Sequence, residues 1–430
     1  MKLKDVLAAK ILELRPRTAR LLKEARDVEL DTVTVGSCLG GARGVKCLVT
    51  DISKIDPDEG LRLRGYTVGE VLDRLPKLPG CEVPSVEALY WLLLTGDVPT
   101  AAQASGLCRE LAGRRELPEY VLDVLAAMPE DSHPVALFSA AVLALQRESR
   151  FARSLAEGLP RKGYWEPMYE DTLDVLARLP AVGAAVYGLK YGGAEALKAK
   201  APDLGGEFAG LMGLGKPYDD VCRLHFILHS DLEGGNVSAH AARLVGSGLS
   251  DAYYALSAMA GGLAGPLHGL ANQEFLRWIL GVMETGSDED SLRRAAESLL
   301  DGGRVIPGYG HAVMRRTDSR YAALRDFCLK HLPDDPVFQC IERLCRVVPP
   351  LLQARGKAKN PWPNLDAQSG VLHWHYGVRE YDFYPVLFCV GRSLGVCASL
   401  VWDRALGYPI ESPRSVTTEE LEAAERRVRG

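Results

Sequence analysis

The chain has little material for a β-sheet. Of its 430 residues, only the stretch 33–50 has the composition of short strands; elsewhere apolar side chains recur at helical spacing. That pattern excludes a sandwich, a barrel or a doubly wound sheet. The chain also lacks a basic excess. Its 51 Lys and Arg are outnumbered by 56 Asp and Glu, for a net charge of −5, which argues against a general nucleic-acid binder. Ten cysteines are scattered without a single C-x-x-C pair, so free thiols in a reducing compartment are expected rather than disulfides. The opening MKLKDVLAAKILELRPRTARLLKEARD is amphipathic and charged, without the unbroken apolar core of a secretory signal. No repeat period, low-complexity tract or obvious linker divides the sequence.

What is present fits a helical protein of ordinary composition, 47% hydrophobic and 25% charged. Helical periodicity runs through Ser85–Leu94, Ala136–Leu145, Asp171–Leu179 and Thr418–Val428. The expected fold class is all-α. The length suits roughly two or three domains, and a second one is expected as an insertion into the first. Two long apolar runs need separate thought. Residues 252–272 are broken by glycines, Pro266 and His268, and read as a core helix ending in a loop. Residues 383–402 are long enough to cross a bilayer, but carry Arg392 at their middle. A lone guanidinium in apolar surroundings is expensive unless an anion meets it. That anion is either a structural carboxylate or a ligand's. No membrane span is expected.

Chemistry-bearing residues gather in a few stretches. Ile306–Tyr321 reads IPGYGHAVMRRTDSRY: a bend at Pro307, Gly308 and Gly310, one imidazole at His311, then Arg315, Arg316 and Arg320 around Asp318. A bend, a titratable ring and fixed guanidinium groups can bind an anion and move a proton on it; a solvated helix start is the plainer reading. Gly265–Gly269 presents His268 in a Gly/Pro loop just past an apolar helix, a better catalytic setting than a helix interior. Asn360–Asp366 reads NPWPNLD, where two prolines stiffen the backbone before one carboxylate, suited to a helix cap or to a general base desolvated by Trp362. His225 and His229 have helical metal spacing but no following Glu, so core or capping histidines are expected and no metal site. The loops around Arg43 and Arg161 are, by themselves, weak phosphate signals.

Taken together, HSD-EGGNVSAH, LAGPLHGLANQE, PGYGHAV-R-TD-RY, KNPWPN-D and R-LG resemble citrate synthase of the type found in mitochondria and some bacteria, from Leu3 to about Thr417. The resemblance implies an all-helical homodimer with a large domain (1–269 and 377–430), an inserted smaller domain (270–376) and an active site between them. It implies an acyltransferase that condenses acetyl-CoA, a co-substrate, with a 2-oxo acid and then hydrolyses the thioester. No permanently bound cofactor, nucleic acid or membrane is implied. By position the catalytic triad is His268, His311 and Asp366. Asp366 would take the methyl proton, His268 would hydrogen-bond the thioester oxygen, and His311 would donate to the acceptor's keto oxygen. Arg320 and Arg392 match acceptor-binding residues, with Asn236 and Phe388 beside them. Arg43, Arg161, Arg315, Lys357 and Lys359, with the backbone of Pro307, Gly308, Tyr309 and Gly310, match the CoA contacts. The start of the match at the chain's own start suggests a bacterial cytoplasm, or a trimmed matrix protein.

Two positions depart from the family pattern. Leu232 replaces a histidine of HSDHEGGN, and Ser412 replaces an arginine that reaches in from the partner subunit. Both belong to the acceptor. Losing two charge-assisted hydrogen bonds would cost about 3–6 kcal/mol, roughly 10²- to 10⁴-fold in affinity. Three explanations compete: an acceptor other than oxaloacetate; replacement contacts from Arg414, His373 or His375; or loss of catalysis with retention of CoA or partner binding.

Overall fold

The computed structural model describes residues 1–192, 200–356 and 358–429. Twenty α-helices account for most of these, with one small sheet. The helices begin where the sequence supplies caps. Ser85 caps Val86–Thr95 by accepting from Ala88 N–H, and all ten residues of that helix are buried. Asn236 caps Val237–Ser247, Asp251 caps Ala252–Leu263, and Asp318 caps Ser319–His331.

Two helices pass the length and apolarity test for a membrane span, Trp165–Tyr191 with the short turn before it and Tyr384–Leu406 with the turn before it. Both lie inside the protein, 72% and 94% buried, and they pack on each other through the centre of the core. Their apolarity therefore serves packing. Arg392 sits fully buried within the second.

The strands do not fall in 33–50, as the composition there suggests. That stretch holds one short helix, Val35–Leu39, followed by turns, and nearly all of it is exposed. An apolar/polar alternation forms a strand only where a neighbouring strand completes its backbone hydrogen bonds. The sheet follows it instead: Ser53–Asp56, Gly60–Leu63 and Tyr66–Thr67 form an antiparallel meander with Ile55 opposite Leu61. Its first turn holds Gly60 at φ +85°, and a Cβ there would stand 2.7 Å from Ser319 Oγ. Only glycine lets this hairpin come so close to the helix that carries Arg320.

The helices between Ala271 and His375 pack mainly on one another. They meet the rest through the hairpin, the helix Val68–Arg74, the helix Tyr218–His229 and the turn Tyr381–Phe383.

Candidate active site

Two loops carry His311 and Asp366, and they are laced together. Gly310 N–H donates to the Trp362 carbonyl at 2.9 Å and Asn364 N–H to the Gly308 carbonyl at 2.9 Å. The Asn364 amide donates to the Gly310 carbonyl at 2.9 Å, and the Asn360 amide to the Met314 carbonyl at 2.8 Å. The backbone of Pro307–Gly310 is thus partly consumed in this lacing. Gly308 has φ +74°, and a Cβ on it would lie 2.8 Å from Phe275 and 2.9 Å from Ala367. The two loops can close on each other only without a side chain there.

His311 Nδ1 accepts from the main-chain N–H groups of Val313 (3.0 Å) and Met314 (3.1 Å). A main-chain N–H only donates, so the ring proton is on Nε2, which has no protein partner among the described residues. Burial first, then the Arg320 charge, lowers its pKa to about 4. His268 is the mirror case. Its Nε2 accepts from Ser238 N–H at 3.3 Å, which puts the proton on Nδ1. The Ser238 hydroxyl lies 2.9 Å from the same Nε2 and 2.8 Å from Asn236 Oδ1, and its proton can serve either. Burial, then the Arg392 charge, lowers His268 to about 4. The site therefore holds two neutral imidazoles, each with one N–H left to give.

Asp366 opens the helix Asp366–His375 but does not cap it; its own N–H is held by Asn364 Oδ1 at 3.0 Å. Among the described residues the carboxylate has no hydrogen bond, and the residue is half-buried. Burial raises it to about 6 against the opposing pull of Arg320.

Arg320 is the electrostatic hub, acting on His229, His311, Asp366 and Arg392. It is buried and forked onto Asp318, with Nε at 3.0 Å and Nη2 at 2.7 Å. Nη1 remains free. Asp318 also accepts from Leu365 N–H at 3.2 Å, so one carboxylate fixes both Arg320 and the approach to Asp366. Arg392 donates Nε to the His229 carbonyl (3.1 Å) and Nη1 to Asn236 Oδ1 (2.7 Å) and Ser238 Oγ (3.0 Å). Its Nη2 is buried without a partner. Burial drops its pKa to about 10, with Asp231 the nearest compensating charge. A buried guanidinium with an open N–H is a place for an anion. Phe388 packs under it, ring centroid 4.9 Å from the guanidinium carbon and 6.0 Å from His268. No hydrogen bond joins His268, His311 and Asp366 to one another among the described residues; Arg320 acts electrostatically on His311 and Asp366, and Arg392 on His268.

Other expected residues fall elsewhere. Asn236 is saturated, its amide donating to the carbonyls of Leu232 (2.9 Å) and Glu233 (2.8 Å), so it orients Arg392 and has no donor left for a ligand. Leu232 turns part of its side chain to the core. Ser412 is exposed in an extended segment that walls a cavity of about 390 Å³ with Cys47–Val49, His240 and Arg243. Within one chain it has no contact with Arg320 or Arg392. The cationic set is likewise dispersed. Arg43 is exposed on a turn with no partner, and Lys359 is exposed beside Asn360. Arg161 donates to the Gly407 carbonyl at 2.6 Å. Arg315 folds back on the carbonyls of Ala312 and Met314. Tyr309 turns its hydroxyl to Cys345 Sγ at 3.4 Å. Lys357 lies outside the described residues.

Replacement acceptor contacts from His373 or His375 are ruled out by geometry. Both His373 nitrogens are engaged, by Tyr218 and His225, and His375 pairs with Asp335 at 2.7 Å. Arg414 is exposed with no contact to the site. His229, expected to be a core or capping residue, is indeed buried, yet it borders the site: its ring is 4.8 Å from Phe388 and its carbonyl holds Arg392. Its place in the HSD motif beside Asp231 was the available signal.

Comparison with known proteins gives the family. Residues 41–414 match the family described as citrate synthase, C-terminal domain. The chain is 48% identical over 425 residues to a protein named probable mitochondrial citrate synthase from Glossina morsitans morsitans, covering 97% of this chain and 91% of that one. It is 47% identical to mitochondrial citrate synthase of Xiphias gladius, over the same shares. Among solved structures, citrate synthase from Pyrobaculum aerophilum superposes with a TM-score of 0.77 at 26% identity, covering 91% of this chain and 97% of that one. A ternary complex of the Thermoplasma acidophilum enzyme with carboxymethyl coenzyme A and oxaloacetate gives 0.76 at 22% identity, over 90% and 97%. The chain belongs to the citrate synthase family.

Proposed function

We propose that the protein is an acyltransferase that joins acetyl-CoA to oxaloacetate and hydrolyses the resulting thioester, releasing citrate and CoA. The observation that carries this is the pair of neutral imidazoles with opposite ring protons, His268 on Nδ1 and His311 on Nε2, beside a carboxylate at about 6 and two guanidinium groups with open N–H. A thioester methyl is a weak carbon acid. Asp366 takes its proton while His268 Nδ1–H donates to the thioester oxygen as charge builds there. The resulting enol carbon attacks the keto carbon of oxaloacetate. His311 Nε2–H gives its proton to the keto oxygen, which becomes the tertiary hydroxyl, and the proton taken up by Asp366 restores His311. Arg320 and Arg392 hold the two carboxylates. Water then splits the thioester, and CoA leaves. No metal or resident cofactor is invoked.

Oxaloacetate is preferred to another 2-oxo acid because both arginines keep an N–H for a carboxylate. Loss of catalysis is disfavoured because every donor and base is in place. Arg43, Arg161, Arg315 and Lys359 are proposed for the CoA phosphates and the Pro307–Gly310 loop for its adenine. We further propose the division into a large lobe (1–269, 377–430) and a small one (270–376), supported by the separate packing of the helices after Ala271. A homodimer accounts for Val28, Leu30, Val33, Leu39, Val49, Ile410 and Val416, all more than half exposed, on non-helical segments apart from Leu39 at the end of a short helix, that a second copy would cover. The expectation of a cytoplasmic protein gains no support from relatives named mitochondrial, and the matrix is the preferred location.

The test is thiol release from acetyl-CoA over a panel of oxaloacetate, glyoxylate, pyruvate and 2-oxobutyrate. Activity with oxaloacetate foremost is expected. Release with another acceptor alone overturns the acceptor assignment, and silence across the panel overturns the enzymatic reading.

A further inference from the structure

The helix that starts at Asp366 and the helix that ends at His229 meet through histidines that the mechanism does not use. His373, in the last turn of the first helix, places Nε2 2.9 Å from His225 Nδ1 and Nδ1 3.0 Å from the Tyr218 hydroxyl. The His225 ring stacks on His229, centroids 3.9 Å apart and planes 20° apart. His229 Nδ1 donates to the His225 carbonyl at 2.8 Å, and the His229 carbonyl receives Arg392 Nε at 3.1 Å. One line of contacts thus runs from the helix of the base to the guanidinium that faces the acceptor.

The protons along this line can be placed. His225 Nε2 is buried without a partner. A buried bare lone pair is cheaper than a buried unpaired N–H, so His225 carries its proton on Nδ1 and gives it to His373 Nε2. His373 then donates from Nδ1 to the Tyr218 oxygen, and the Tyr218 hydroxyl is left for Cys222. Burial depresses the pKa of both rings, so each is neutral at physiological pH. His373 lies in the proposed small lobe, and Tyr218, His225, His229 and Arg392 in the large one. An apolar pair would fill the same space but would let the helices slide; N–H···N bonds are directional and hold one register.

We propose that His225 and His373 are positioning residues, a buried brace that sets the Asp366 helix against Arg392 across the junction of the lobes. This rests on the condensation reading. His373→Leu removes both bonds at similar volume, and His373→Gln returns one donor and one acceptor. With oxaloacetate, His373→Leu should lower kcat about tenfold or more, since a small displacement of a base is costly, and leave the acetyl-CoA KM unchanged. His373→Gln should recover kcat to within about threefold of wild type, the scale of one hydrogen bond. A folded His373→Leu with wild-type kcat overturns the brace, as does equal impairment in both variants, which would mean packing alone. Proton NMR gives a readout free of activity: the slowly exchanging ring N–H of His225 that is paired with His373 Nε2, present in wild type and lost in His373→Leu. Its absence from wild type overturns the brace. A wild-type protein silent with oxaloacetate but showing that signal would sink the condensation reading and leave the brace standing. If His373→Leu does not fold, Tyr218→Phe removes the outer bond; it should lower kcat about two- to threefold, and an unchanged kcat overturns the brace.

Discussion

The two ends proposed for the site, one for the acceptor and one for the thioester, are built in opposite ways. At the acceptor end, Arg320 and Arg392 are buried, and each is held by more than one hydrogen bond before any ligand arrives. At the thioester end, Arg43, Arg315 and Lys359 are exposed, and the Arg315 side chain bonds only carbonyls of its own loop among the described residues. A buried, pre-aimed guanidinium has already met its desolvation and ordering costs during folding, so it meets a carboxylate in place. An exposed cation gains little from any one phosphate and is screened by salt. The first design suits a small rigid acid that must be aligned to a fraction of an ångström. The second suits a long flexible carrier.

The largest break in this contrast is at the base that sits between the ends. Asp366→Asn should lower kcat by at least about 10³-fold, measured by thiol release. The same change should raise the melting temperature at pH 7.5. Burial raises the Asp366 pKa to about 6, so its ionised form opposes folding, and its contribution to stability is regained as pH falls through about 6. The stability gain of the variant should therefore vanish near pH 4. Arg392→Leu comes next. Losing a buried, charge-assisted contact should cost about 10²- to 10³-fold in kcat/KM for oxaloacetate, with little change in the acetyl-CoA KM. The pH profile sharpens the comparison: kcat/KM should fall about tenfold per unit below pH 6 as Asp366 protonates. His268 and His311, held at about 4, should add no limb above pH 5. Arg315→Ala should raise the acetyl-CoA KM only about three- to tenfold, an effect shrinking with added salt. The smallest effect is expected from Leu232→His with Ser412→Arg. The pair should improve oxaloacetate use about threefold beyond the product of the singles if both reach one ligand, and kinetics of the four proteins in the double-mutant cycle reads it.

The helices were largely legible, because Ser85, Asn236 and the apolar spacing after them are local signals. The strands were not. Residues 33–50 have strand-like composition but no neighbour to pair with, whereas Ser53–Thr67 forms its meander through the turn at Gly60 and its fit against Ser319. His268, His311 and Asp366 were singled out through motif resemblance, since each stands in a distinctive stretch; their catalytic roles are proposed and are tested by the Asp366→Asn and pH experiments. The lacing was not. Asn360 reaches Met314 and Asn364 reaches Gly310 across some fifty residues, and no local pattern announces such a partner. Asn236 was expected to touch the ligand, yet its amide is spent on the carbonyls of Leu232 and Glu233. Residue type was right there and orientation was not, because orientation depends on Arg392, 156 positions away.

Gly308 restricts how this pocket can be redesigned. With Phe275 and Ala367 under 3 Å from where a methyl would begin, saturation mutagenesis at that position should return only the parent sequence. Variation aimed at bulkier acids belongs away from the two laced loops, at Phe388 beneath the Arg392 guanidinium, where a change of size leaves the Gly308 contacts intact.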